Sequence, residues 1–264
     1  MPGIVTGLEH LTLLDVSPPD LVTVAAQAGF DVVGLRISPA TDDERPWPMA
    51  PGSTMLAETA ARCADTGITV LDAEAVRLGP ERTDFTPFLD TAARLGARYV
   101  NAICEDEDLA RLTDEFARLA AEARPYGIRP VVEFMAYRRV RTLADATAVA
   151  AGSGGGIVID ALHVQRCGVG LDALSRVDPG LVGYVQLCDA PLAAPADQVA
   201  EARSARLLPG DGELPLTGLL AALPDGVPVA VEAPQAGADA APAPFAARAR
   251  RALESVLTHS AERP

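Results

Sequence analysis

Apolar positions in this chain fall into two alternating patterns: short continuous runs of the kind buried strands have, and longer stretches with apolar residues at helical spacing. The runs predict strands at 8–14, 31–37, 68–75, 98–104, 130–135, 156–160, 181–188 and 228–233. Between them the spacing predicts helices from the SPPD segment to Gly29, then over 54–66, 84–95, 108–124, 142–151, 171–177, 216–223 and 245–257. Punctuation agrees with this division. Proline stands in the first turn of the first helix, and Gly29, Gly67 and Gly96 stand where helices should stop. Two stretches lack either pattern, the Pro-rich 38–52 and the Ala/Pro-rich 191–205.

Strand and helix thus alternate through eight units at a period of roughly thirty residues, which predicts an α/β fold, a (β/α)8 TIM barrel, with residues 1–264 as a single domain. The competitor is a doubly wound open sheet. No G-x-G-x-x-G follows the first run, which weakens its dinucleotide-binding version.

Composition narrows the function. A formal charge of −14 disfavours a phosphate backbone as partner, so no nucleic acid is expected. The chain contains no lysine, which excludes a lysine Schiff base, a lysine general base and a P-loop. Cys63, Cys104, Cys167 and Cys188 are scattered without metal-ribbon spacing and read as free thiols in a reducing compartment. MPGIVTGLEH has no signal-peptide character, and no run approaches the roughly 20 apolar residues that span a bilayer. The expectation is a cytoplasmic protein with no membrane partner.

Four strand runs end on an oxygen-bearing side chain: PVVEF on Glu133, GIVID on Asp160, GYVQL on Gln186 and VAVEA on Glu232. In a barrel of this kind function collects at the C-terminal strand ends. Alternation turns Val132, Ile159, Val185 and Val231 toward the helices, and so turns the four polar residues toward the axis. Carboxylates brought within about 5 Å of one another repel by roughly 3 kcal/mol per pair at an effective dielectric of 20. A divalent cation reverses that balance, and oxygen donors point to a hard ion rather than a structural zinc. Asp160 is therefore expected to have a cation, not an arginine, as its partner. The competing reading satisfies each residue with an arginine or a backbone donor.

The order of units, the strand ends VVEF, VIDALH, YVQLCDAP and VAVEAP, and the RLLPGDGELPL segment resemble the xylose isomerase-like TIM-barrel superfamily of sugar phosphate isomerases and epimerases. That resemblance covers nearly the whole chain. It implies that Glu133, Asp160, Gln186 and Glu232 hold one divalent metal ion, Mn²⁺, Mg²⁺ or Co²⁺. It further implies an isomerase or epimerase of a small hydroxy-carbonyl substrate, a keto sugar or sugar phosphate, working through a metal-stabilised enediolate. Glu133 and Glu232 would move the proton. Glutamine at 186, where epimerases of the family commonly have histidine, is also similar to hydroxypyruvate isomerases and to inosose and dehydroshikimate dehydratases, so a lyase is the alternative. A barrel that binds metal or ligand without turnover is the third reading. The superfamily's DNA-repair branch uses a histidine-rich cluster, whereas this chain has only three histidines.

Around the four ends, His163 is the first choice for a substrate contact or proton shuttle, against a satisfied loop histidine. Arg206 is placed to clamp a substrate carboxylate or phosphate, against an ordinary surface arginine, and Arg36 and Glu74 to complete the substrate-binding rim, against a mutual or neighbouring salt bridge. Asp189 is expected to orient the site rather than bind metal. Gly210 and Gly212 form either a phosphate cradle or a plain turn, and His10 belongs to either core or pocket. The segments 38–52 and 191–205 read as lids or subunit contacts. Barrels of the superfamily often dimerise or tetramerise, so a homo-oligomer is among the expectations, with no interface patch legible.

Overall fold

The computed structural model describes residues 3–261. Its strands β1 (Thr6–Leu8), β2 (Val32–Arg36), β3 (Thr69–Leu78), β4 (Tyr99–Cys104), β5 (Arg129–Glu133), β6 (Gly156–Asp160), β7 (Val182–Leu187) and β8 (Val229–Val231) follow one another around a closed barrel. All pairs are parallel, and β1 closes the circle against β8 with Gly7 opposite Ala230. The helices α1 (Pro18–Ala28), α2 (Thr54–Thr66), α3 (Thr86–Leu95), α4 (Leu109–Ala123), α5 (Leu143–Ala150), α6 (Ala161–Arg166), α7 (Leu171–Leu174), α8 (Gln198–Ser204), α9 (Leu216–Ala221) and α10 (Pro242–Ala261) fill the connections. The eightfold barrel expected from the period is thus the observed fold.

Two apolar layers follow from strand alternation. Val132, Ile159, Val185 and Val231 point outward into the main core beneath the helices. Val32, Leu71, Tyr99, Val131, Val158, Tyr184 and Ala230 point inward and plug the barrel floor. One inward step beyond the plug, two residues along each chain, come Glu133, Asp160, Gln186 and Glu232. Every expected ligand therefore stands directly above a plug residue.

Several boundaries differ from the sequence pattern. The first strand is Thr6–Leu8 rather than 8–14, because the chain turns over the barrel mouth in a 3-10 turn at His10–Leu13. The Thr12 hydroxyl pins that turn to the eighth strand, donating to Val231 O (3.1 Å) and accepting from Ala233 N (3.1 Å). Helix α6 follows Asp160 immediately, where only a later helix was expected; that later one shrinks to α7. The stretch 191–205 contains α8. Among the described residues no helix is long and apolar enough to cross a membrane, and the four cysteines are free.

Candidate active site

The pocket at the C-terminal mouth of the barrel encloses about 390 Å³ and is lined by Arg36, Glu74, Glu133, His163, Arg206 and Glu232, with Asn101, Tyr137 and Arg203. Gln186 and Asp160 lie just beneath, fully buried. A wider hollow of about 750 Å³ opens beside it between Trp47, Arg77, Phe85 and Phe88, and does not contain the strand-end carboxylates.

Asp160 occupies its place for a local reason. It is the N-cap of α6, and its Oδ1 accepts the His163 backbone N–H at 3.0 Å. The D-A-L-H spacing is thus N-cap to third helical residue, which sets the histidine on the first turn facing back into the barrel. His163 Nε2 lies 3.5 Å from Glu133 Oε1. Its ring meets Tyr137 edge-on at 5.7 Å between centroids. Burial lowers its pKa to about 4, so the imidazole is neutral. Nδ1 has no hydrogen-bond partner.

Arg206 corrects the expectation about Asp160. Its Nη1 lies 2.6 Å from Asp160 Oδ2 and 3.0 Å from Glu232 Oε2, and donates to Glu232 O at 3.2 Å. Asp160 therefore has an arginine as one partner, from a segment far away in sequence, which the expectation had set aside. Its backbone is held in place, with Arg206 N–H donating to Pro234 O and the flanking residues bridging Asp189 and Gln235. Burial alone would raise the Asp160 pKa, but Arg206 and His163 outweigh it and the carboxyl is held low. Glu133 goes the other way, driven up by burial and by the charges of Asp160 and Glu232. Burial likewise lifts Glu232 to about 8, with Arg206 opposing and Glu74 and Asp160 adding.

Gln186 donates from Nε2 to Glu232 Oε1 at 3.2 Å, which leaves its Oε1 buried and without a partner. Glu133 Oε1 is likewise unpartnered, and Asn101 Nδ2 makes only a long 3.5 Å contact to Oε2. Glu133, Asp160 and His163 each bring one donor atom within 4.8 Å of the others. Two unpartnered buried oxygens among three carboxylates are what a cation would satisfy, and the donor set fits a divalent ion.

The remaining sequence candidates resolve individually. Arg36 pairs with Glu74 at 2.9 Å and with Glu44 at 3.6 Å, while both Arg36 and Glu74 still line the pocket. His10 is core: its Nε2 contacts Val16 O at 2.8 Å and its Nδ1 accepts the Arg36 backbone N–H at 3.0 Å. Asp189 fills the glycine turn itself. It accepts from Gly210 N, Leu214 N and Ala190 N, each at 2.9 Å. A Cβ at Gly212 would lie 2.4 Å from Asp189 Oδ1. A carboxylate thus takes the place a phosphate would need. The two irregular segments meet at the mouth, where Arg203 on α8 pairs with Glu44 at 2.9 Å.

Sequence reasoning missed Arg203, Asn101 and Tyr137, which carry no motif, and Glu9 and Asp72. Glu9 ends the apolar lead-in TGL just as Glu133 ends PVV, so the strand-end signal was there to find it.

The profile described as "Xylose isomerase-like TIM barrel" matches residues 22–256. The chain belongs to that family. No curated protein matches it. Among solved structures, this xylose isomerase-like barrel is similar to a xylose isomerase-like TIM barrel/4-hydroxyphenylpyruvate dioxygenase fusion protein (TM-score 0.80, 23% identity, 97% of this chain) and spans 43% of that protein's length. It is similar to the IolI protein with a binding zinc atom (TM-score 0.77, 19% identity, 97% of this chain and 98% of that one). A third likeness is to D-psicose 3-epimerase in the presence of D-fructose (TM-score 0.69, 18% identity, 96% and 98%).

Proposed function

We propose that this barrel is a divalent-metal-dependent isomerase or epimerase of a small hydroxy-carbonyl compound. The observation that carries the reading is the placement of Glu133 and Glu232 on β5 and just past β8, at two sides of one pocket, with Asp160 and Gln186 on the wall between them. The family's epimerase neighbour supports it.

A divalent ion held by Glu133, Asp160, Gln186 and Glu232 would supply the positive charge that polarises the substrate carbonyl. The protein's own groups do the rest. One of the two glutamates takes the proton from the carbon beside the carbonyl, the C–H electron pair moving into the new carbon–carbon double bond as the carbonyl π pair moves onto its oxygen, and the other glutamate returns a proton to carbon as those electrons move back. Neutral His163, 3.5 Å from Glu133, is placed to pass a proton to or from it. Arg206 keeps Asp160 ionised and sets the position of Glu232 through two contacts. Burial of the pocket floor excludes bulk water from the carbanion-like species.

Incubating the metal-loaded protein in D₂O with a panel of keto sugars tests this. Deuterium at the carbon next to the carbonyl with no loss of water is expected, and Glu232→Gln should abolish it. Loss of water with a conjugated ultraviolet band would assign lyase chemistry instead. Exchange undiminished in Glu232→Gln would remove the mechanism.

A further inference from the structure

Next to Glu232, on the arc of the barrel formed by β1 to β3, lies a second group of carboxylates that the proposed reaction does not use. Glu9 follows β1, and Asp72 and Glu74 lie on β3. Each offers one oxygen within 4.8 Å of the others, and all three are buried. Neither oxygen of Glu9 or of Asp72 has a hydrogen-bond partner. Arg36 is engaged by Glu74 and Glu44. The space the acids occupy exists because residue 34 is glycine: a Cβ there would lie 1.7 Å from Glu9 Oε2 and 2.5 Å from Asp72 Oδ1.

Tyr184 adds an independent observation. It rises from the plug on β7, fully buried, and its hydroxyl has no hydrogen-bond partner. Burial holds its ionisation well above the ordinary range, with the charges of Asp72 and Glu9 next, and Asp72 in turn feels the Tyr184 hydroxyl, so the hydroxyl lies beside the acid group. Burial and mutual repulsion push Glu9 and Asp72 well above the usual carboxylate range, so an uncompensated group is costly. Arg36, shared between Glu74 and Glu44, cannot offset all three acids when they are ionised. Every donor is oxygen. The nearby histidine is unavailable, since both His10 ring nitrogens are engaged elsewhere.

We infer that Glu9, Asp72 and Glu74, together with the Tyr184 hydroxyl, form a second site for a hard divalent cation of the Mg²⁺, Mn²⁺ or Ca²⁺ class, distinct from the group formed by Glu133, Asp160, Gln186 and Glu232. All-oxygen ligation without sulfur or imidazole selects that class. The ion would cross-link β1 and β3 at the base of the pocket and draw Glu74 away from Arg36, whose guanidinium lines the pocket.

Mn²⁺ titrated into metal-stripped protein, with bound ions counted by loss of the free-ion electron paramagnetic resonance signal, tests this. Wild type is expected to bind about two ions per chain, and the Glu9→Gln/Asp72→Asn and Glu133→Gln/Asp160→Asn variants about one each. An unchanged count in Glu9→Gln/Asp72→Asn overturns the inference, leaving a carboxyl pair that holds only a proton. An unchanged count in Glu133→Gln/Asp160→Asn, with one ion lost in the other variant, would sink the pocket metal and leave this site standing. Should the double variants fail to fold, Tyr184→Phe, which keeps the ring and its packing, decides. It should weaken the second ion about tenfold, and unaltered binding overturns the proposal.

Discussion

Asp160 and Asp72 are the same residue type, both buried in the barrel interior without measurable exposure, yet their carboxyls move in opposite directions. Asp160 is held below its ordinary range and Asp72 is driven well above it. Burial penalises both. What differs is the counter-charge: Arg206 touches Asp160 at 2.6 Å and also takes Glu232. On the other wall Arg36 is taken by Glu74 and Glu44, and Asp72 has further acids beside it, Glu9 and Glu74, rather than an arginine. The electrostatic character of a buried acid is thus decided by where an arginine ends up, not by depth.

Removing that arginine is the most drastic way to break the comparison. Arg206→Ala leaves Asp160 and Glu232 buried without their partner and should cost about 3–5 kcal/mol in urea unfolding of metal-free protein. The Asp160 wall should then behave like the Asp72 wall, with stability falling as pH rises. A loss below about 1 kcal/mol would show that the ion pairs to Arg206 are not what settles this wall.

The second test uses His10, which supports the Arg36 backbone. Burial lowers its pKa from 6.5 to about 4, so the folded state keeps it neutral while the unfolded chain takes up a proton. Its contribution is complete above pH 6.5 and is lost as pH falls through the window to 4, about 3 kcal/mol in all. Stability curves for wild type and His10→Gln should differ in slope across that window. Parallel curves would contradict the neutral, buried imidazole.

The smallest effect has the opposite sign. With no metal added, Glu9 is a carboxyl whose folded pKa is raised, so the native state holds a proton that the unfolded chain has lost. Its ionic form costs stability progressively as pH rises above the ordinary 4.5. Glu9→Gln keeps a donor toward Asp72 and should raise metal-free stability at pH 8 by on the order of 1 kcal/mol. A destabilised variant would argue that the Glu9–Asp72 pair is satisfied as it stands.

Legibility from sequence followed the physical range of each signal. Period and punctuation are local, so the eight units were readable, and inward alternation carried Glu133, Asp160, Gln186 and Glu232 onto one layer. Where local signals conflicted, the reading slipped. The apolar run through His10–Leu13 looked like strand but turns over the mouth, held by Thr12 to the eighth strand. Helix α6 was missed although Asp160 caps it, because the strand ends on the same residue that starts the helix.

Sequence by itself determined the barrel, the layer of polar residues above an apolar plug, and the candidate ligand set, because strand alternation and element period are properties of neighbouring residues. Only the tertiary structure decided the pairings. Arg206 reaches Asp160 across 46 positions, Asp189 closes the glycine turn that sequence could have assigned to a phosphate, and Glu9 joins Asp72 across the space left by Gly34. Charges interact through distance, and distance between residues far apart in the chain exists only once the barrel has closed.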